Sequence, residues 1–281
     1  MRVLISCDME GISGIVDWEQ VTPGKSEWQR GRKLMAGDVN AAINGAFLGG
    51  ATAVTVSDAH WNARSLELED LDARAVLHSG SPSPFSMLQG IDDAESDAGV
   101  GYDALVCIGY HAMAGAKKAV LCHTWSENVL NVWLNDTLVG EIGLNAAVAG
   151  HYGTPLVALS GDRAACREAQ DLLGPGVEVA VVKQGTGRFA AECLPLPAAR
   201  EKICEAVATA VARRKRGEGT PPFRVATPVR LAVEFKFPHQ ADRAFLMPGT
   251  NRVSGVKLEY VAPDMVTAMR AFRAMTLLAG E

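Results

Sequence analysis

Short apolar runs rich in β-branched residues alternate with stretches of helical periodicity, and this alternation limits the possible folds most. The run RVLISC at 2–7 is followed by apolar residues at helical spacing from 30 to 48, and then by the run TAVTVS at 52–57. A strand, a helix and a second strand in this order form a right-handed crossover between parallel strands. The pattern repeats up to residue 182. It predicts an α/β fold with a mostly parallel sheet flanked by helices on both faces.

The remaining elements of this part follow from the same two periodicities. Helices are expected at 85–90 and 142–151, and a third begins at Asp162 as its N-cap. Two strand-like runs around the turn at 135–136 predict a hairpin. Further strands are expected at 75–78, 104–110, 119–124, 155–160 and 177–182.

The pattern changes after Lys183. A helix expected at 198–214 leads into EGTPPF at 218–223, where glycine and proline interrupt regular structure. Strands at 229–235 and 251–261 and helices near 241–246 and 264–279 follow. We therefore expect two units, a larger catalytic α/β domain over 1–190 and a smaller C-terminal α/β lobe over 191–281.

Charge argues against a nucleic-acid partner. The 27 Lys and Arg residues are outnumbered by 32 Asp and Glu residues, which gives a formal net charge of −5. Binding to phosphate backbones requires an excess of positive charge. The one basic cluster, at 213–216, ends an expected helix, where cations complement the helix dipole.

Hydropathy and cysteine usage indicate a cytoplasmic protein without membrane contact. No run approaches the roughly 18 apolar residues of a membrane span, and the start MRVLISCDMEG contains acidic residues where a secretion signal is apolar. The six cysteines are scattered without any CxxC pair. They are expected to be reduced thiols.

Carboxylates and imidazoles follow the expected strands. Asp8 and Glu10 come directly after the first strand, and His60 ends the second. His111 follows the run at 104–110, and His123 follows the run at 119–122. Taken singly, each has an ordinary interpretation as a helix cap, an exposed acid or a structural histidine. Their repetition at strand ends predicts a shared site, because the carboxyl ends of parallel strands meet at one edge of the sheet.

Glu141, which opens the helix after the hairpin, adds a third carboxylate. Imidazole and carboxylate together suit zinc, but even five of these six side chains exceed what one four-coordinate site with an open position takes. Two ions bridged by a carboxylate fit better. The predicted ligands are Asp8, Glu10, His60, His111 and Glu141. The chain has no GxxxxGK[ST] phosphate loop and no Gly-x-Ser-x-Gly elbow, which argues against nucleotide and serine-hydrolase chemistry.

Collinear motifs also resemble one known family over almost the whole chain. They are SCDMEGISG, SDAH, PFSMLQGID, IGYHA, CHT, LNDTLVGEIGLNA, SGDRAA, VVKQ and FLMPGT. In this order they resemble the zinc-dependent D-aminopeptidases of the DppA type, peptidase family M55. The segments at 61–64 and 125–132 depart from the family pattern, and we expect them to line the substrate pocket.

The resemblance implies two Zn2+ per chain on the five predicted ligands, with Asp8 as the bridge and His123 as the catalytic residue. It implies hydrolysis of short peptides from the N-terminus, with D-amino-acid dipeptides or tripeptides as substrates. It further implies a homodecamer of two stacked pentameric rings, for which some of the five tryptophans are candidate interface residues.

Two other functions remain open from the residues alone. A dinuclear metal amidohydrolase acting on a non-peptide substrate would use the same ligands in a different pocket. A non-catalytic dipeptide-binding protein would need no metal ligands and would usually carry an export signal.

Overall fold

The computed structural model describes residues 1–82, 85–92 and 101–280, and these form two β-sheets and six α-helices. The strands are β1 Arg2–Cys7, β2 Ala53–Asp58, β3 Ala75–His78, β4 Ala104–Tyr110, β5 Val129–Leu134, β6 Thr137–Val139, β7 Leu156–Asp162, β8 Glu178–Gly187, β9 Ala190–Cys193, β10 Val229–Phe235, β11 Asn251–Arg252 and β12 Lys257–Ala262. The α-helices are α1 Trp28–Leu48, α2 Glu141–His151, α3 Arg163–Leu173, α4 Leu196–Lys215, α5 Pro238–Ala244 and α6 Met265–Gly280.

The larger sheet has the strand order β3-β2-β1-β4-β7-β8-β9. All neighbours in it are parallel except β9, which runs antiparallel to β8. β1 lies between β2 and β4, with Cys7 opposite both Asp58 and Ile108. The strands that precede Asp8, Glu10, His60 and His111 are therefore direct neighbours, whereas Glu141 follows β6 of the second sheet. The predicted α/β class with a mostly parallel sheet is confirmed.

Helices cover both faces of the larger sheet. Side chains alternate along β1, so that Val3 and Ile5 pack with α1 and α4 while Leu4 packs with α2 and the second sheet. Burial on both faces accounts for the nearly continuous apolar runs of β1 and β4.

The second sheet is antiparallel, in the order β11-β12-β10-β5-β6. The predicted hairpin is confirmed as β5 and β6, but it joins this sheet by pairing with β10, where Leu231 lies opposite Leu134. The division into units over 1–190 and 191–281 stays a prediction. The smaller sheet draws strands from both sides of residue 190, because β5 and β6 precede it.

Three expected elements differ from the structure. The strand expected at 119–124 is wrong, because Lys118 and Leu121 have positive φ values of 52° and 48° and the segment forms turns. Its apolar residues are buried, and burial rather than strand pairing explains the pattern. The helix expected at 85–90 is a single 3-10 turn at Ser86–Leu88, and the strand expected at 251–261 is split into β11 and β12. Pro84 of the PFSMLQGID motif lies outside the described residues.

No helix in the described ranges is long and apolar enough to cross a bilayer. The longest, α1, carries several charged and amide side chains along its length.

α1 and α4 pack closely through a glycine. A Cβ placed on Gly45 would lie well inside 3.0 Å of the Cys204 backbone carbonyl oxygen. Such an approach of a backbone carbonyl leaves no room for a side chain.

We expect Gly45→Ala to destabilise the protein by more than about 1 kcal/mol, although alanine is the better helix former by about that amount. The control is Gly280→Ala at the end of α6, where a Cβ meets no atom within 4 Å. Urea unfolding of both variants measures the difference. Equal midpoints for the two would contradict the close packing.

Candidate metal centre

The loop after β1 carries two of the predicted ligands and runs beside the end of β4. The Asp8 N–H donates to the Ile108 carbonyl at 2.8 Å, and the Gly11 N–H donates to the Gly109 carbonyl at 2.7 Å. A Cβ on Gly11 would collide with the Tyr110 carbonyl. Glycine at position 11 therefore lets the acidic loop lie against the strand that delivers the next ligand.

The five predicted ligands converge at this edge of the sheet, and all are buried. His60 Nδ1 lies 2.9 Å from Asp8 Oδ1 and 3.3 Å from Glu10 Oε2. His111 Nε2 lies 3.4 Å from Asp8 Oδ2 and 3.2 Å from Glu141 Oε1. Asp8 thus directs one carboxylate oxygen toward each of two imidazoles.

His123 reaches the same cluster from the turns at 118–124 rather than from a strand. Its ring stacks on His111 with centroids 4.0 Å apart, and its Nε2 lies 3.9 Å from Glu141 Oε1. Two groups of three residues have ligand atoms within 4.8 Å of one another, namely Asp8, Glu10 and His60 and then His111, His123 and Glu141. The geometry therefore permits His123 either a ligand position or a place beside the ion.

Each imidazole is oriented by a backbone carbonyl. His60 Nε2 lies 2.7 Å from the Val21 oxygen, His111 Nδ1 lies 3.0 Å from the Ala112 oxygen, and His123 Nδ1 lies 2.8 Å from the Leu121 oxygen. When these nitrogens carry the ring proton and donate to the carbonyls, the other nitrogen presents a lone pair toward the carboxylates. Two lone pairs facing each other repel, so this arrangement favours a cation between them.

One buried atom tests this interpretation. His111 Nε2 is shielded from solvent and makes no hydrogen bond to any described residue. A buried polar nitrogen without a partner costs about 1–3 kcal/mol. Nitrogen and carboxylate oxygen donors at this spacing are the donor set that zinc prefers. The residues present therefore fit a metal ion of the zinc type.

The pKa values of the cluster residues are set by burial and by the charges of their neighbours. Burial and the charge of Glu10 raise the pKa of Asp8 to about 7. Burial alone would raise the pKa of Glu10 as well, but His60 brings it well below its usual value. Burial disfavours the charged form of His60 and of His111, yet the facing carboxylates raise both pKa values well above the usual one. The cluster thus binds protons where a divalent cation would supply the same positive charge.

Comparison with known proteins identifies the family of this chain. A model of the D-aminopeptidase family, peptidase family M55, matches residues 1–274. The chain belongs to the D-aminopeptidase family. The D-aminopeptidase of Bacillus subtilis strain 168 is 39% identical over 281 residues, which cover 99% of this chain and 98% of that protein.

A solved structure is similar over the full length. The Zn-dependent D-aminopeptidase DppA from Bacillus subtilis, described as a self-compartmentalizing protease, superposes with a TM-score of 0.93 at 37% identity. The match covers 100% of this chain and 98% of DppA. Membership of the D-aminopeptidase family confirms the resemblance seen in the sequence, and with it the predicted enzyme class, a metallo-aminopeptidase.

Lys183, which was not among the residues singled out from the sequence, holds the loop after β1 in place in this D-aminopeptidase. Lys183 on β8 is 2% exposed, and its Nζ donates to the backbone carbonyls of Glu10, Ile12 and Ile15 at 2.6, 2.8 and 2.6 Å. Burial lowers the pKa of this lysine to about 8. The signal in the sequence was a single cation at the end of the apolar run VEVAVVK.

A cavity of about 590 Å³ opens onto the ligands. The segments expected to line the substrate pocket contribute Trp61 and the residues at 125–127. Trp61, Trp125 and Ser86 have φ values of 52°, 66° and 48°, in the left-handed region that bulky side chains avoid. All three line the cavity, which agrees with the general concentration of strained backbone at functional sites.

Proposed function

We propose that this chain is a dinuclear zinc aminopeptidase that hydrolyses short peptides from the N-terminus, with D-amino-acid dipeptides or tripeptides as substrates. The observation that carries the proposal is the position of Asp8, whose two oxygens lie 2.9 Å from His60 Nδ1 and 3.4 Å from His111 Nε2. The zinc dependence of the similar DppA structure supports the choice of metal.

In this proposal one ion would be held by Asp8, Glu10 and His60, and the other by Asp8, His111 and Glu141. Charge supports two ions, because three carboxylates are buried together and, once all three are deprotonated, a single divalent cation would leave one of them uncompensated. When bound, two zinc ions supply Lewis acidity for the scissile carbonyl and activate a water molecule.

His123 is proposed as the catalytic residue that takes up a proton or stabilises the oxyanion. The Leu121 carbonyl lies 2.8 Å from its Nδ1, which leaves Nε2 facing the cluster. Burial and the neighbouring His111 lower the pKa of His123, so the imidazole is neutral at pH 7 and its Nε2 can accept a proton.

Assembly into a homodecamer of two pentameric rings is part of the proposal. DppA is described as self-compartmentalizing, which supports an enclosed oligomer. Large apolar side chains on the C-terminal part of this chain are exposed, including Phe245, Val261 and Leu246, which is 74% exposed. Exposed apolar patches commonly mark protein interfaces.

The expected cytoplasmic location also remains a prediction. It is supported by cysteine usage, since all six cysteines lie in the described part of the chain and none forms a disulfide.

A panel of substrates tests the function. We expect the zinc-loaded protein to cleave D-Ala-D-Ala and short D-amino-acid tripeptides, and a chelator to abolish the activity, because the proposed chemistry needs the Lewis acidity of the bound zinc. Acyl amides, phosphate esters and an unfolded protein complete the panel. Turnover of the amides or esters without peptides would identify a different hydrolase, and rapid digestion of the unfolded protein would contradict an enclosed chamber.

Metal content tests the bridge. We expect about two zinc ions per chain by elemental analysis, loss of both in Asp8→Ala, and loss of mainly one in His60→Ala. Asp72→Ala is the matched control, because Asp72 is a surface carboxylate paired with Arg74 and should leave both ions in place. Loss of a single ion from Asp8→Ala would refute the bridging role.

His123→Ala is expected to fold normally and retain zinc while kcat falls by about 10²-fold or more. Steady-state kinetics and zinc analysis on the same preparation measure this. If the variant instead loses one ion, His123 is a ligand, as its distance to Glu141 permits.

A further inference from the structure

The charges that line the active-site cavity are unevenly distributed. Three of its carboxylates, those of Asp8, Glu10 and Glu141, belong to the metal cluster. A fourth, Glu127, accepts a hydrogen bond from Arg188 at 2.8 Å. Among the described residues that line this cavity, only Arg273 carries a permanent positive charge.

Arg273 lines the same cavity as the cluster because of how α6 packs. Its neighbour Phe272 is fully buried and contacts Trp125 edge-on, with ring centroids 5.3 Å apart. The backbone N–H of Trp125 in turn donates to Glu141 Oε1 at 2.6 Å. One aromatic contact and one hydrogen bond therefore connect the helix that carries Arg273 to a predicted zinc ligand. Leu277, one turn further along α6, is 69% exposed and also lines the cavity.

The guanidinium is suited to an anionic ligand. Its Nε is shielded from solvent, and burial lowers the pKa of Arg273, as expected of a partly desolvated cation. A guanidinium presents five N–H donors in a planar fork, so two can hold a carboxylate while others serve neighbouring groups. Paired N–H···O bonds to a carboxylate are the strongest interaction available to this side chain.

Cavity size limits which carboxylate could reach it. A cavity of about 590 Å³ corresponds to a sphere roughly 10 Å across, and an extended peptide advances about 3.5 Å per residue. Two or three residues therefore fill the space. In a peptide of that length the α-carboxylate lies one or two residues beyond the scissile bond.

We propose that Arg273 forms a subsite that binds the substrate's C-terminal carboxylate, and that the preferred substrates are dipeptides and tripeptides with a free α-carboxylate. This inference rests on the proposed aminopeptidase function and adds to it the way in which the enzyme would select short peptides. Arg273 is a specificity-determining residue here, while bond cleavage belongs to the metal cluster.

The test compares two forms of the enzyme on two substrates. Zinc-loaded wild type and Arg273→Gln are each assayed on D-Ala-D-Ala and on its C-terminal amide. Loss of hydrogen bonds between charged groups should lower kcat/KM for the free acid by about 10- to 100-fold, mainly through KM, and leave the amide nearly unchanged. Arg273→Lys should restore part of the loss. Arg270→Gln is the matched control, because Arg270 is exposed on the same helix and does not line the cavity.

Equal effects on acid and amide, or no effect on either, would overturn the subsite. So would a wild-type preference for the amide. Failure of the proposed function looks different, because wild type would then cleave neither peptide. In that case binding of the acid and of the amide is measured by calorimetry for wild type and for Arg273→Gln. Equal affinities of wild type for the acid and the amide would reject the subsite.

Discussion

Like charges buried side by side are the constraint on which the proposed active site depends. Asp8, Glu10 and Glu141 lie within one solvent-shielded cluster, where each carboxylate raises the energy of the others. The surrounding structure offsets part of this cost with two facing imidazoles and the Trp125 N–H donor. In the proposed enzyme, bound metal would supply the remaining positive charge. The cluster therefore favours cation binding without any contribution from a substrate.

The position of the cluster follows from sheet topology. β1 lies between β2 and β4, so side chains that leave these three strands at their carboxyl ends meet without long loops. Close backbone approach at Gly11 and the hydrogen bonds of Lys183 then fix the path of the loop after β1. Both features act on the backbone that carries Glu10, which keeps that carboxylate near His60 despite the repulsion from Asp8.

The parts of the site that follow single strands were predictable, because periodicity locates a strand end and the sheet brings such ends together. His60 and His111 belong to this group. The origin of His123 was predicted wrongly, because a buried turn and a buried strand produce the same apolar run. Lys183 and Arg273 were not singled out, because their roles depend on contacts with residues far away in the chain. Lys183 contacts the Glu10 carbonyl, for example, across 173 positions.

The hairpin of β5 and β6 lies between His123 and Glu141, but its neighbour β10 begins about 90 residues after the hairpin ends. At about 5–20 residues per second, a ribosome needs roughly 5 to 20 s to synthesise that interval. During this time β5 has an unpaired edge next to the segment that carries Glu141, a state open to misassociation with other nascent chains. The sheet that borders the proposed metal cluster is therefore completed only when residues 229–235 have been synthesised, well after the last of the predicted ligands.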